Sequence, residues 1–119
     1  MSNHKKDDLE LEKKRVHILV HVVDYEPNAI VTKTIIKKTT GFITVTSFDA
    51  GEELIRNASS FDIYIQIIDG VANLVIGKEE FNLRVGEGII IPANTKSKFE
   101  AKNQFKMIST VIKSGYEDL

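Results

Sequence analysis

Three histidines, His4, His17 and His21, are the only imidazoles of this chain, and all precede Val22. His17 and His21 stand four apart, a spacing that on a helix would stack two imidazoles for one metal ion. The surrounding HILVHVV run reads as a strand instead, where four residues span about 13 Å, too far to share an ion. From Val22 to Leu119 there is no histidine, so the usual general base near neutral pH is missing from the body of the chain. The remaining candidates are Asp62, Tyr64, Glu79, Glu80 and Glu100. Strand alternation turns Asp62, Tyr64, Glu80 and Glu100 outward, and Glu79 sits beside a turn, so a solvated face is the expectation for most of them. With no cysteine, disulfides, thiolate zinc sites, iron–sulfur clusters and cysteine nucleophiles are excluded. The glycines of GEG at 86–88 have no helix after them, as a phosphate-binding loop would need.

The elements that must position such groups belong to one domain, because 119 residues leave room for a single core. A 42 % hydrophobic and 28 % charged composition is that of a soluble globular chain, and sixteen basic against seventeen acidic side chains create no global field for nucleic acid or an anionic membrane. Neither partner is expected. No apolar run approaches the roughly 18 residues that suggest a membrane span, so a cytoplasmic location is the default.

Residues 1–15 hold ten charged or histidine side chains and form the expected N-terminal tail, frayed or folded as one short surface helix. From Val16 onward, β-branched and apolar runs arrive in short stretches between turn residues. They predict strands near 16–23, 30–38, 42–48, 61–69, 72–77, 79–85, 88–92, 95–101 and 104–112. Pro27-Asn28, Thr40-Gly41, Asp69-Gly70 and Gly86-Glu87-Gly88 supply the turn chemistry. In 95–101, Lys96, Lys98 and Glu100 alternate with Ser97, Phe99 and Ala101, which predicts the second set inward. In 61–69, Phe61, Ile63, Ile65 and Ile67 share a face, while the other still carries Tyr64 and Ile68. That second apolar face predicts contact with another chain, as a homodimer. Many short strands without a convincing helix predict an all-β sandwich or small barrel.

Two segments add a resemblance. GEELIRNASSFDIYIQIIDG (51–70) has Gly51 and Gly70 at the glycine positions of the first cupin motif, and GEGIIIPAN (86–94) has Gly86 and Pro92 as in the second. The chain resembles the cupins over roughly residues 16–113, most closely the short single-domain ones, leaving 114–119 as a C-terminal tail. This resemblance implies a double-stranded β-helix, the jelly-roll barrel. It also implies a degenerate metal site, because Asn57 and Ser59 stand at the two histidine positions of the first motif, Ile63 at its glutamate and Ser97 at the histidine of the second. An amide or neutral hydroxyl binds a catalytic transition metal weakly, and isoleucine cannot bind one.

The sequence therefore predicts a metal-free cupin without a cofactor and without assigned catalytic residues, acting as a small-molecule-binding or scaffold module. Its expected pocket is lined by Asn57, Ser59, Phe61, Ile63, Ile65, Ser97, Phe99 and Met107, a mostly apolar concavity suited to a small apolar or neutral ligand. The alternative is a metal-independent isomerase or lyase acting on a sugar or keto acid through carboxylates and tyrosine. An ionisable group inside the pocket would favour that alternative.

Overall fold

The structure, a computed structural model of the chain, describes residues 3–116. The ends of both expected tails, 1–2 and 117–119, lie outside the described residues. In chain order the elements are β1 (Asn3–Asp7), α1 (Leu19–Val22), β2 (Ala29–Lys38), β3 (Gly41–Phe48), β4 (Glu53–Arg56), β5 (Ile63–Ile76), β6 (Glu79–Arg84), β7 (Gly88–Ile91), β8 (Ser97–Glu100) and β9 (Phe105–Ile112). One sheet runs β1-β2-β3-β9, then the first half of β5, then β7; the other holds β6, the second half of β5, β8 and β4. The two sheets face each other and share β5, which gives the jelly-roll architecture predicted from sequence. Among the described residues, no helix is long and apolar enough to cross a membrane.

The joint in β5 corrects one expectation. Asp69-Gly70 reads as a hairpin turn between strands at 61–69 and 72–77, yet β5 is continuous through it. The register slips between Ile67 and Asp69, and Gly70 adopts φ +72°, so the chain bends from one sheet into the other without reversing. The same bend shifts the inward parity from Ile63, Ile65 and Ile67 to Ala72 and Leu74, all buried.

Inward residues of both sheets meet in a core centred on aromatic rings. Phe48 stacks on Phe105 with centroids 4.3 Å apart, and Phe99 approaches Phe48 at 5.8 Å. Ser97, Phe99 and Ala101 are buried as their alternation predicts. Burying such rings and aliphatic chains contributes about 1.5 to 3 kcal/mol each.

The N-terminal third departs most from the sequence reading. The expected strand at 16–23 is loop and the single turn α1; Val16 and Ile18 stay exposed, while Val22 and Val23 pack against the outer face of the first sheet with Ala29, Val31, Val45, Ile35 and Ile68 in a second apolar cluster. Polar straps hold it there: Lys106 Nζ donates to the Val20 carbonyl, Ser47 Oγ to the Asp24 carbonyl, and the Tyr25 hydroxyl to Asp69 Oδ2 at 2.6 Å. The expected charged tail instead opens with a strand, β1, which lies parallel to β2 with His4 opposite Ile30. Its backbone completes the hydrogen bonding of the β2 edge, a gain that its charged side chains do not advertise.

Candidate ligand site at the barrel mouth

The inward faces of β2 and β3 change character along their length. Near the bend they present Ile30 and Phe48 to the core, but farther on they present Thr32 and Thr34 from β2 and Thr46, Thr44 and Phe42 from β3. Across the barrel, β4 is an edge strand whose inward residues are Leu54 and Arg56, in register with Phe99 and Ser97 of β8. A cavity of about 390 Å³ lies between these walls, and β1 borders it with His4. Its volume is within the range of small-molecule sites, roughly 300 to 1,000 Å³.

Hydrogen bonds fix the polar wall. His4 Nε2 is 2.9 Å from Thr32 Oγ1, which is itself 2.9 Å from Thr46 Oγ1, and Thr34 Oγ1 donates to the Asp7 carbonyl at 3.0 Å. Burial, assisted by the charges of Lys6 and Arg56, holds His4 below the ordinary imidazole pKa and so favours its neutral form. Arg56 is half-buried, and its Nε is sealed from solvent without a hydrogen-bond partner. Its guanidinium carbon lies 5.8 Å from the centroid of the Phe99 ring, and burial lowers its pKa from the ordinary guanidinium value. Lys6, Lys37 and Lys113 add positive charge around the opening, against Asp7 and Asp8. The inward hydroxyls of Ser97 and Ser109 are also buried without partners.

No family model and no curated protein sequence matches the chain. Solved structures do. A conserved protein of unknown function from Streptococcus pyogenes is 27 % identical, with 97 % of each chain covered and a TM-score of 0.83. A cupin superfamily protein from Desulfitobacterium hafniense DCB-2 is 18 % identical over 91 % of this chain and 99 % of that one, with a TM-score of 0.81. A cupin 2 conserved barrel domain protein from Leptotrichia buccalis, 29 % identical, is matched over 79 % of this chain and 46 % of its own, with a TM-score of 0.74. The chain is a cupin by fold.

Within this fold, the eight residues expected to line a pocket occupy three different settings. Ile63, Ile65, Phe99 and Met107 are buried in the packed core, with Phe61 against its edge, so they fill the barrel. Ser97 is buried beside the mouth, opposite Arg56. Asn57 is exposed in the loop after β4, and the Ser59 hydroxyl turns back on its own loop, donating to the Phe61 carbonyl and accepting from the Phe61 amide. None of the eight lines the mouth cavity. Position 56, not 57, is the inward one where β4 ends. These donors do not fit a divalent metal: Ile63 is apolar, Asn57 is in solvent, and Ser97 offers a neutral hydroxyl.

The sequence reading assigned none of the cavity's lining residues to the pocket, and His4 and Arg56 are the two that matter most chemically. The expectation that the barrel lacks a histidine is corrected by His4, which reaches the cavity from a strand outside both motifs. Its signal was faint, a lone histidine among lysines and aspartates. Arg56 was hidden by an inverted pattern, since β4 turns Arg56 inward and leaves Ile55 59 % exposed.

Proposed function

We propose that this cupin binds a small organic molecule at the barrel mouth and acts as a binding or scaffold module rather than a metalloenzyme. The observation that carries the reading is the cavity of about 390 Å³, where an apolar patch of Phe42 and Leu54 adjoins a wall of oriented polar and charged side chains. Polar groups held in fixed orientations beside an apolar patch can orient a small molecule. The rest of the barrel centre is filled by side chains, which concentrates binding at the mouth.

A fragment screen followed by amide chemical shifts tests this. Bound fragments are expected to shift Thr32, Thr44 and Leu54, and Thr44→Trp, which fills the cavity, should abolish those shifts in a folded protein. Fragments that bind equally well to the filled variant would overturn the assignment.

One observation favours the second reading, a metal-independent isomerase or lyase. His4 brings a neutral imidazole to the same cavity as Arg56, and so supplies a proton acceptor beside a cation that could stabilise an enolate. Deuterium uptake from solvent into a bound keto acid, lost in His4→Ala, would support it; no uptake would leave the binding role alone.

A further inference from the structure

Arg56 is an unusual group to find where it is. Its Nε is sealed without a partner, and among the described residues the side chain makes no hydrogen bond or ion pair, only the ring contact with Phe99. A guanidinium withdrawn from water without an anion is costly, and natural interiors pair such groups. The cavity wall compounds the imbalance. Arg56, Lys6, Lys37 and Lys113 face two carboxylates, Asp7 and Asp8, and Asp7 Oδ1 already accepts from the Leu9 amide at 3.0 Å. Threonine hydroxyls and the His4 imidazole account for the remaining polar wall. Cations outnumber carboxylates on this wall, and among the described residues no carboxylate pairs with Arg56.

Resting on the binding reading above, we propose that the ligand is a small organic carboxylate, paired through its oxygens with Arg56 and packed through its apolar body against Phe42 and Leu54. The planar fork of a guanidinium matches two carboxylate oxygens, and that pairing gains strength where water is excluded. The apolar wall selects against a bare inorganic anion, which would leave Phe42 and Leu54 uncovered. Lys113 Nζ, 5.1 Å from the Phe42 ring centroid, places a further positive charge at the rim to attract the ligand.

Matched probe pairs test this on the full chain: benzoate against benzamide, hexanoate against hexanamide, with inorganic phosphate as a third arm. Calorimetry should find each carboxylate about tenfold or more tighter than its amide, the effect of a charge-assisted hydrogen-bonded pair. Arg56→Gln should erase that preference while amide binding persists. In the unmodified protein the Arg56 Nε–H resonance should shift with benzoate and stay with benzamide, a measurement that needs no variant and so decides the matter even where Arg56→Gln fails to fold. Equal affinity for acid and amide would overturn the carboxylate assignment and leave the cavity as a binding site. Phosphate binding tighter than either carboxylate would overturn it in favour of an inorganic anion. If no acid, amide or phosphate binds, this inference and the binding reading fall together.

Discussion

His4 Nε2 stands 2.9 Å from Thr32 Oγ1, and through that hydroxyl the first strand is tied to Thr46 on β3. The chain joins three neighbouring strands through one oxygen. Thr32→Val keeps the shape and β propensity of the residue but leaves His4 and Thr46 facing a methyl group. The loss should be about 1 to 3 kcal/mol, the cost of stranding partly buried polar groups, with Thr32→Ser close to the unmodified protein. Urea unfolding checks it, and equal midpoints for Val and Ser would deny the hydrogen-bonded chain any role.

The same histidine sets a pH dependence. Burial first, then Lys6 and Arg56, depress its pKa below 6.5, so the unfolded chain takes up a proton more readily than the folded one. The stability from neutral His4 is present above that ordinary value and is lost as pH falls through the depressed one. His4→Gln should therefore flatten part of the stability decline between about pH 7 and about pH 5. An anion beside Arg56 would oppose this depression, so carboxylate affinity should rise over the same descent, and should rise less in His4→Gln. Asp7, Asp8, Lys6, Lys37 and Lys113 also face the cavity. The comparison with the variant isolates the imidazole from them.

Arg56 should weaken the fold that carries it. Replacing it with Met keeps the aliphatic stem against Phe99 and removes a guanidinium that pairs with no carboxylate among the described residues. Arg56→Met should be neutral or stabilising, by about 1 kcal/mol or more, because burying a charge without a partner costs more than its packing returns. Thermal denaturation reads this directly. A clear destabilisation would show that the guanidinium is already compensated.

Gly70 marks where β5 changes sheets. At φ +72° a side chain is strained, and an added Cβ would overlap the Gln104 carbonyl oxygen and come within 2.9 Å of Phe105 Cα. Both obstacles are backbone. Gly70→Ala should cost about 3 kcal/mol or more, by combining left-handed strain with a steric clash that no rotamer relieves. Gly86→Ala is the control, because its Cβ would meet nothing within 4 Å and only the φ +88° strain remains. Similar losses at both positions would mean that the close approach contributes nothing.

These positions also separate what alternation can and cannot reveal. Strands such as Ser97–Glu100, with charges strictly on one face, declare their register because a one-residue slip would bury Lys98. The Asp69-Gly70 pair carries the same local signal whether the chain reverses or bends; only tertiary pairing decides. β4 was illegible for a related reason: its inward pair Leu54 and Arg56 and its outward pair Glu53 and Ile55 each mix one apolar and one charged residue. β1 is held by backbone pairing at a sheet edge, where side-chain pattern carries little information. Hence the fold could be read and the site could not. Its two decisive residues sit on these two edge strands.

The second apolar face of β5 bears on association. Ile68, expected to need a partner chain, is covered by this chain's own cluster around Val22 and Val23. Tyr64 is not, at 42 % exposure. It belongs to a row that crosses the first sheet strand by strand: Ile36 opposite Ile43, Ile43 opposite Thr110, Thr110 opposite Tyr64, and Tyr64 opposite Ile90. Ile90 and Ile112 are each more than half exposed, and no charged residue interrupts the row. We propose that this row pairs with the same row of a second copy, which would bury on one face what a monomer leaves in water. Light scattering at micromolar concentration should give twice the chain mass. Tyr64→Lys with Ile90→Lys should raise the dissociation constant by at least about thirtyfold, the effect of losing central anchor residues, while the mouth cavity on the opposite face of the sheet keeps its ligand affinity. A unit chain mass for the unmodified protein, or a double variant that stays dimeric, would refute this arrangement.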